Sequence, residues 1–160
     1  RGGDHLPALE LGFPAIRFTV GVENYNHQHQ DLRTENNIEF GDTVDKMDFG
    51  YLAKVTALNI ATASSLAAAP PAPTSAKLGG AVSSDTKVEW LPVAGATGYR
   101  VYFRKADRPN WADVVEVNEP AATSHVLKGL IVDDHFVGVS AVNASGKESI
   151  ITFAGLPPRQ

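Results

Sequence analysis

Two adjacent prolines, Pro70 and Pro71, constrain this chain more than any other feature. Each lacks a backbone N–H and fixes its own φ, so neither a helix nor a central strand runs through them. They lie in an Ala/Pro-rich stretch, residues 69–76 (APPAPTSA), expected to be a stiff, extended linker. The periodicity differs on its two sides. Before it, the run from Asp48 to Ala69 reads as a helix. Asp48 suits the N-cap, and Phe49, Leu52, Val55, Leu58 and Thr62 fall on one face. After it, short runs alternate between apolar and polar residues: Val88–Leu91, Tyr99–Phe103, Val114–Val117, Ser124–Leu127, Phe136–Val142 and Ser149–Phe153. Gly, Asn and Asp turns separate them, the pattern of a β-sandwich. The 160 residues therefore divide into a unit at 1–68, the linker, an all-β unit at 77–155 and a Pro-rich tail at 156–160.

Charge supports the division. Residues 1–70 hold 5 Lys and Arg against 9 Asp and Glu, whereas residues 71–160 hold 9 of each. The net charge of −4 leaves no basic face, so nucleic acid is not an expected partner. The absence of cysteine excludes disulfides and thiolate metal sites. No run of about 18 apolar residues exists, so no membrane-spanning helix is expected. A Gly-rich phosphate loop, a Gly-x-Ser-x-Gly elbow and a His-Glu-x-x-His helix are all absent.

Within the first unit, Gly12-Phe13-Pro14 reads as a turn leading to a buried strand at Ala15–Val20. Residues 33–47 are polar and irregular, and are expected to be a surface loop. A strand, a loop and a closing helix make the end of an α/β domain, too small to bury a core alone.

The first thirty-one residues open on Gly2-Gly3-Asp4-His5, pass through Pro7 and Gly12-Phe13-Pro14-Ala15, and close on His27-Gln28-His29-Gln30-Asp31. That order resembles the C-terminal part of the M28 family of zinc-dependent aminopeptidases. The resemblance implies that His27 is the last zinc ligand and that Asp31, four residues on, fixes the loop or orients the imidazole. His29 is the alternative ligand, since on an extended segment it would face the same side as His27. Tyr25 is a candidate for stabilising the tetrahedral intermediate, although it stands one residue further back than the family's Tyr. Asp4 and His5 match the family's Ser-Asp-His segment near the cleft, with Gly3 in place of Ser. Asp4 also suits the cap of a short helix at Leu6–Leu11.

The resemblance further implies a parent in which two zinc ions activate a water to attack a peptide bond while a Glu takes the proton. Its remaining ligands and its general base are expected upstream of Arg1. This chain would then be inactive alone, and its parent an exported protein of the bacterial type. Beyond the linker, WLPVAGATGYRVYFRKAD and LKGLIVDDHFVGVSAVNASGKES resemble a fibronectin type III domain. That implies an immunoglobulin-like sandwich with Trp90 in the core, Tyr99 and Val101 facing it, and Arg100 outward. Leu130 and Phe136 have the spacing of the family's tyrosine corner, with Phe in the place of Tyr and no hydroxyl to bond the backbone. Asp133-Asp134 reads as a β-turn, and the sequon Asn143-Ala144-Ser145 as a hairpin turn. The other functional class is a non-catalytic binding or adhesion module, whose sandwich takes a protein or surface ligand. Trp111 is its candidate anchor, unless it packs against an edge strand.

Overall fold

The structure is a computed structural model and describes residues 2–11, 13, 15–79 and 83–155. The expected Gly12-Phe13-Pro14 turn and the tail 156–160 therefore lie outside the described residues, apart from Phe13. The chain divides into two units, Arg1–Ile60 and Ala61–Gln160, and the division falls inside a helix ahead of the expected linker.

The first unit opens with helix α1, His5–Glu10. Asp4 takes the N-cap position, but its side chain makes no capping hydrogen bond and its backbone is already helical. The strand expected at Ala15–Val20 is not formed. These residues have no assigned secondary structure and no ladder partner among the described residues, and Ile16 is 63% exposed. A strand needs a neighbour for its N–H and C=O groups, and the described residues offer none there. The expected loop at 33–47 is instead a hairpin of β1 (Arg33–Glu35) and β2 (Ile38–Phe40). Asn36 and Asn37 connect the strands with φ of 50° and 62°. Two successive positive φ values define the type I′ turn, whose twist matches that of paired strands, and Asn tolerates it. Helix α2, Phe49–Ala67, follows. Asp48 caps it, its Oδ1 accepting from the Tyr51 N–H at 2.9 Å.

The second unit is a sandwich of two antiparallel sheets. One holds β3 (Lys77–Gly79), β4 (Thr86–Glu89) and β7 (Ser124–Leu127), in the order β3-β4-β7. The other holds β5 (Ala96–Lys105), β6 (Asp113–Val117), β8 (His135–Asn143) and β9 (Thr152–Phe153), in the order β6-β5-β8-β9. Inward side chains fill the gap between them. Trp90 is 3% exposed and lies on Tyr99, ring centroids 5.2 Å apart, with Val88, Val101, Leu127, Val137 and Val139 around them. The Tyr99 hydroxyl accepts from the Val93 N–H at 2.9 Å and donates to the Pro120 carbonyl at 3.3 Å, so its polar end is satisfied. Asp133-Asp134 belongs to a 3-10 turn at Val132–Asp134. Asn143 makes the expected turn, its Oδ1 accepting from the N–H groups of Ser145 and Lys147 at 3.0 Å each.

Three details differ from the sequence expectation. First, the second half of the linker belongs to the sandwich. Pro73 and Ala76 are buried, and the Thr152 hydroxyl donates to the Pro73 carbonyl at 2.6 Å. Second, β3 was not marked by alternation, because it is only three residues long. Third, the corner residue is His135 rather than Phe136. His135 lies two residues before buried Val137, on the inward face, and Phe136 points outward. His135 Nδ1–H donates to the Ile131 carbonyl, four residues back, at 2.9 Å. An imidazole N–H thus supplies the backbone bond that a tyrosine hydroxyl makes at such corners.

Candidate functional site

The His-rich loop begins with a turn built on Asn24. The His27 N–H donates to the Asn24 carbonyl at 3.0 Å, and the Asn26 N–H donates to Asn24 Oδ1 at 3.1 Å. The loop is tied to the end of the hairpin by the Gly41 N–H, which donates to the Asn26 carbonyl at 2.9 Å. Against that frame, half-buried His27 places Nδ1 3.2 Å from Asn24 Nδ2. Asn24 Oδ1 is already engaged by Asn26, so the network assigns the amide NH₂ as donor and Nδ1 as acceptor. The ring hydrogen then sits on Nε2. For Nε2 to bind a metal, that hydrogen must move to Nδ1 and Asn24 must turn its oxygen to accept it.

Asp31 is exposed, and its carboxylate makes no hydrogen bond or ion pair among the described residues; the orienting partner of His27 in this chain is Asn24. Glu39, on β2, is held below the usual carboxylate range. The hydrogen bond from Lys46 at 2.9 Å is the main cause, and the nearby His27 is the smallest. His29 is exposed and has a φ of 53°. That left-handed residue breaks the extended alternation which would have put both imidazoles on one side. His29 lines a cleft of about 350 Å³ with Gly2, Arg17, Tyr25, Gln28 and Gln30, and His27 does not. Among the described residues, no three His, Asp or Glu side chains come together as a metal site. The residues present do not by themselves fit zinc, since one imidazole is not a binding site. His5, on α1, is half-buried and leaves its Nδ1 without a hydrogen-bond partner.

The same unit has a second cleft of about 390 Å³. Phe18, Val20, Met47, Tyr51, Leu52, Val55 and Leu58 supply most of its lining. It is apolar because the face of α2 expected to be buried is largely uncovered within this unit.

In the sandwich the outer face of the four-stranded sheet carries a polar cluster that the sequence pattern did not reveal. Glu148 accepts from Arg100, Tyr102 and Ser140 at 2.6 Å each, and Arg100 also reaches Glu116 at 3.2 Å. Burial raises the Tyr102 phenol pKa first, and Glu148 beside it adds to the effect. The alternation of β5 marked Arg100 as outward; Glu148 gave no signal, because it lies past a turn. Trp111 packs 5.0 Å from Phe153 and 6.1 Å from Tyr102, over Gly138, which is the edge-packing role.

No family model matches the chain. It is similar over both units to probable zinc metalloproteases. One from Leptosphaeria maculans is 39% identical over 153 residues, which is 93% of this chain and 35% of that protein. Another, from Pyrenophora tritici-repentis, is 35% identical over 153 residues, covering 93% and 31%. A third, from Pyricularia oryzae, is 35% identical over 161 residues, covering 95% and 31%. The chain thus spans about a third of the length of the curated relatives it matches. Among solved structures, the chain is similar to the fn3 domain of human collagen alpha-1(XX), with TM-score 0.45 and 21% identity over 58% of this chain and 92% of that one. An Fn3-like protein from Clostridium thermocellum gives TM-score 0.44 and 23% identity over 58% and 98%. The sandwich itself rests on the strand order and pairing above.

Proposed function

We propose that this chain is the C-terminal part of a zinc-dependent aminopeptidase of the M28 type, ending in a fibronectin type III appendage. One observation carries the reading. A single alignment to a probable zinc metalloprotease covers 93% of the chain, so it includes both the His-rich unit and the sandwich. In the parent, His27 contributes one zinc ligand, with Asn24 holding its other nitrogen; the remaining ligands and the general base come from outside residues 1–160. A zinc ion held by His27 and those further ligands would activate a water and polarise the peptide carbonyl. The substrate is a peptide, and the parent is exported.

The test is His27→Ala, beside His29→Ala, in the longest in-frame protein that contains this chain. Loss of more than about 100-fold in aminopeptidase activity, with less bound zinc, is expected for His27→Ala alone. Unchanged activity and zinc content with His27→Ala, and loss with His29→Ala, would transfer the ligand to His29. No effect from either would overturn the metal assignment.

A second reading, a binding module, has one observation in its favour. Phe136 and Phe153 are both largely exposed on the sandwich, with the Arg104 guanidinium 4.5 Å above the Phe136 ring.

A further inference from the structure

The polar cleft in the first unit is the strongest unassigned feature of the molecule. Its lining consists of a guanidinium (Arg17), a phenol (Tyr25), an imidazole (His29), two carboxamides (Gln28, Gln30) and Gly2. Among the described residues it contains no carboxylate and no aliphatic side chain, and its one fixed charge is positive. Arg17 lines the polar cleft, whereas the three residues after it, Phe18, Thr19 and Val20, line the apolar one.

Arg17 is seated rather than loose. Its Nη1 donates to the Gly2 carbonyl at 2.6 Å. The guanidinium can approach because Gly3 has no side chain: a Cβ there would lie 3.3 Å from Arg17 Cδ and Nη1, and 3.0 Å from His5 Nδ1. One of five N–H donors is used, and no carboxylate pairs with Arg17 among the described residues. Arg33, in the same unit, shows the ordinary alternative. It bonds Glu35 at 2.8 Å and lies 4.1 Å over the Phe40 ring, so its charge and its face are both engaged. The cleft also shares its loop with the proposed zinc ligand, since Tyr25 and His29 flank His27 in sequence.

We propose that this cleft binds a carboxylate of the substrate against Arg17, and so makes the parent prefer peptides with an acidic N-terminal residue. The inference rests on the peptidase reading and deepens it. Planar guanidinium matches carboxylate by paired hydrogen bonds, and the carboxamides add neutral donors. With His27 at the hydrolysed bond, a group held on the same loop belongs to a residue next to that bond. The same chemistry would suit the free C-terminal carboxylate of a dipeptide, and the substrates chosen must separate the two.

The experiment compares wild type, Arg17→Met and Arg17→Lys in the longest in-frame protein. The substrates are the p-nitroanilides of Glu, Gln and Leu, and the dipeptide Ala-Ala with its C-terminal amide. The expected result is that wild type favours Glu over Gln. Arg17→Met then loses about 100-fold in kcat/KM on Glu, mainly through KM, and leaves Leu within about twofold, with partial rescue by Lys. A loss confined to Ala-Ala, with its amide and Glu spared, would keep the carboxylate site but overturn the N-terminal preference. Equal change on every substrate, or none, would overturn the proposal. If wild type hydrolyses no peptide, the peptidase reading itself fails. Calorimetric binding of glutarate then still decides the cleft: affinity at least tenfold weaker in Arg17→Met supports it, and equal affinity removes it.

Discussion

Glu148 shows how much a single carboxylate decides in this sandwich. Burial raises its pKa, but hydrogen bonds from Ser140, Tyr102 and Arg100 outweigh that and hold it below the ordinary carboxylate value. The unfolded chain therefore takes up a proton at a higher pH than the folded one. The stabilisation is complete above the unfolded value and is lost as pH falls through the folded value. Glu148→Gln should cost about 1–3 kcal/mol at pH 7, since the side chain is only 24% exposed and its three donors lose a charged acceptor. Urea unfolding at several pH values checks this. Wild type should lose stability between about pH 5 and pH 3, and the variant should lose less over that interval. A variant with the same slope and midpoint as wild type would show that the cluster contributes nothing. Residue-level chemistry of this kind is poorly legible in a sequence. Arg100 and Glu148 are separated by three strands, β6, β7 and β8, and the turns between them, and the β5–β8 pairing together with the Val142–Glu148 bridge brings them together.

At the scale of elements, β8 is the strand that differs most from a half-buried pattern. Val137 through Ala141 are all buried, including the outward-facing Gly138 and Ser140. Val137, Val139 and Ala141 face the core, Ser140 is covered by Glu148, and Gly138 lies under Trp111. A Cβ at Gly138 would sit 2.5 Å from Ile151 Cγ2 and 3.2 Å from Trp111 Cη2. Gly138→Ala should therefore destabilise the sandwich by about 1–3 kcal/mol through overpacking, whereas Gly155→Ala, which meets nothing within 4 Å, should change little. Thermal unfolding of the two variants side by side measures the difference, and equal midpoints would mean that Trp111 does not cover this strand. Alternation revealed six of the seven strands in this unit, because each has one face on a core. It failed in the first unit for two opposite reasons. Ala15–Val20 is apolar enough for a strand but has no partner. The 33–40 hairpin has only Ile38 and Phe40 as apolar residues, set opposite Glu35 and Arg33, too short an alternation to stand out, and its clearer signal was Asn36-Asn37, a pair suited to successive positive φ values.

Over the whole molecule, burial is distributed very unevenly. Among the described residues, every buried aliphatic or aromatic side chain other than Pro73 lies between Ala76 and Ala141, and none before Ile60 is buried. The sandwich has a core of its own, and the first unit has an apolar cleft that its own residues do not fill. The expected inability of that unit to stand alone rests on its size, and its exposed apolar residues make it testable. A protein of residues 69–160 should thus unfold cooperatively in urea. A version beginning at Lys77 should be less stable, because it lacks buried Pro73 and Ala76 and leaves the Thr152 hydroxyl without the Pro73 carbonyl. The difference should be about 2–4 kcal/mol, from two lost apolar contacts and one part-buried hydrogen bond. Residues 1–68 alone should bind a hydrophobic dye and show no cooperative transition. Equal stability of the two sandwich versions would return residues 69–76 to the role of a free spacer. A cooperative transition in residues 1–68 would mean that its apolar faces close on each other, and that the polar cleft at Arg17 must be sought in a different arrangement.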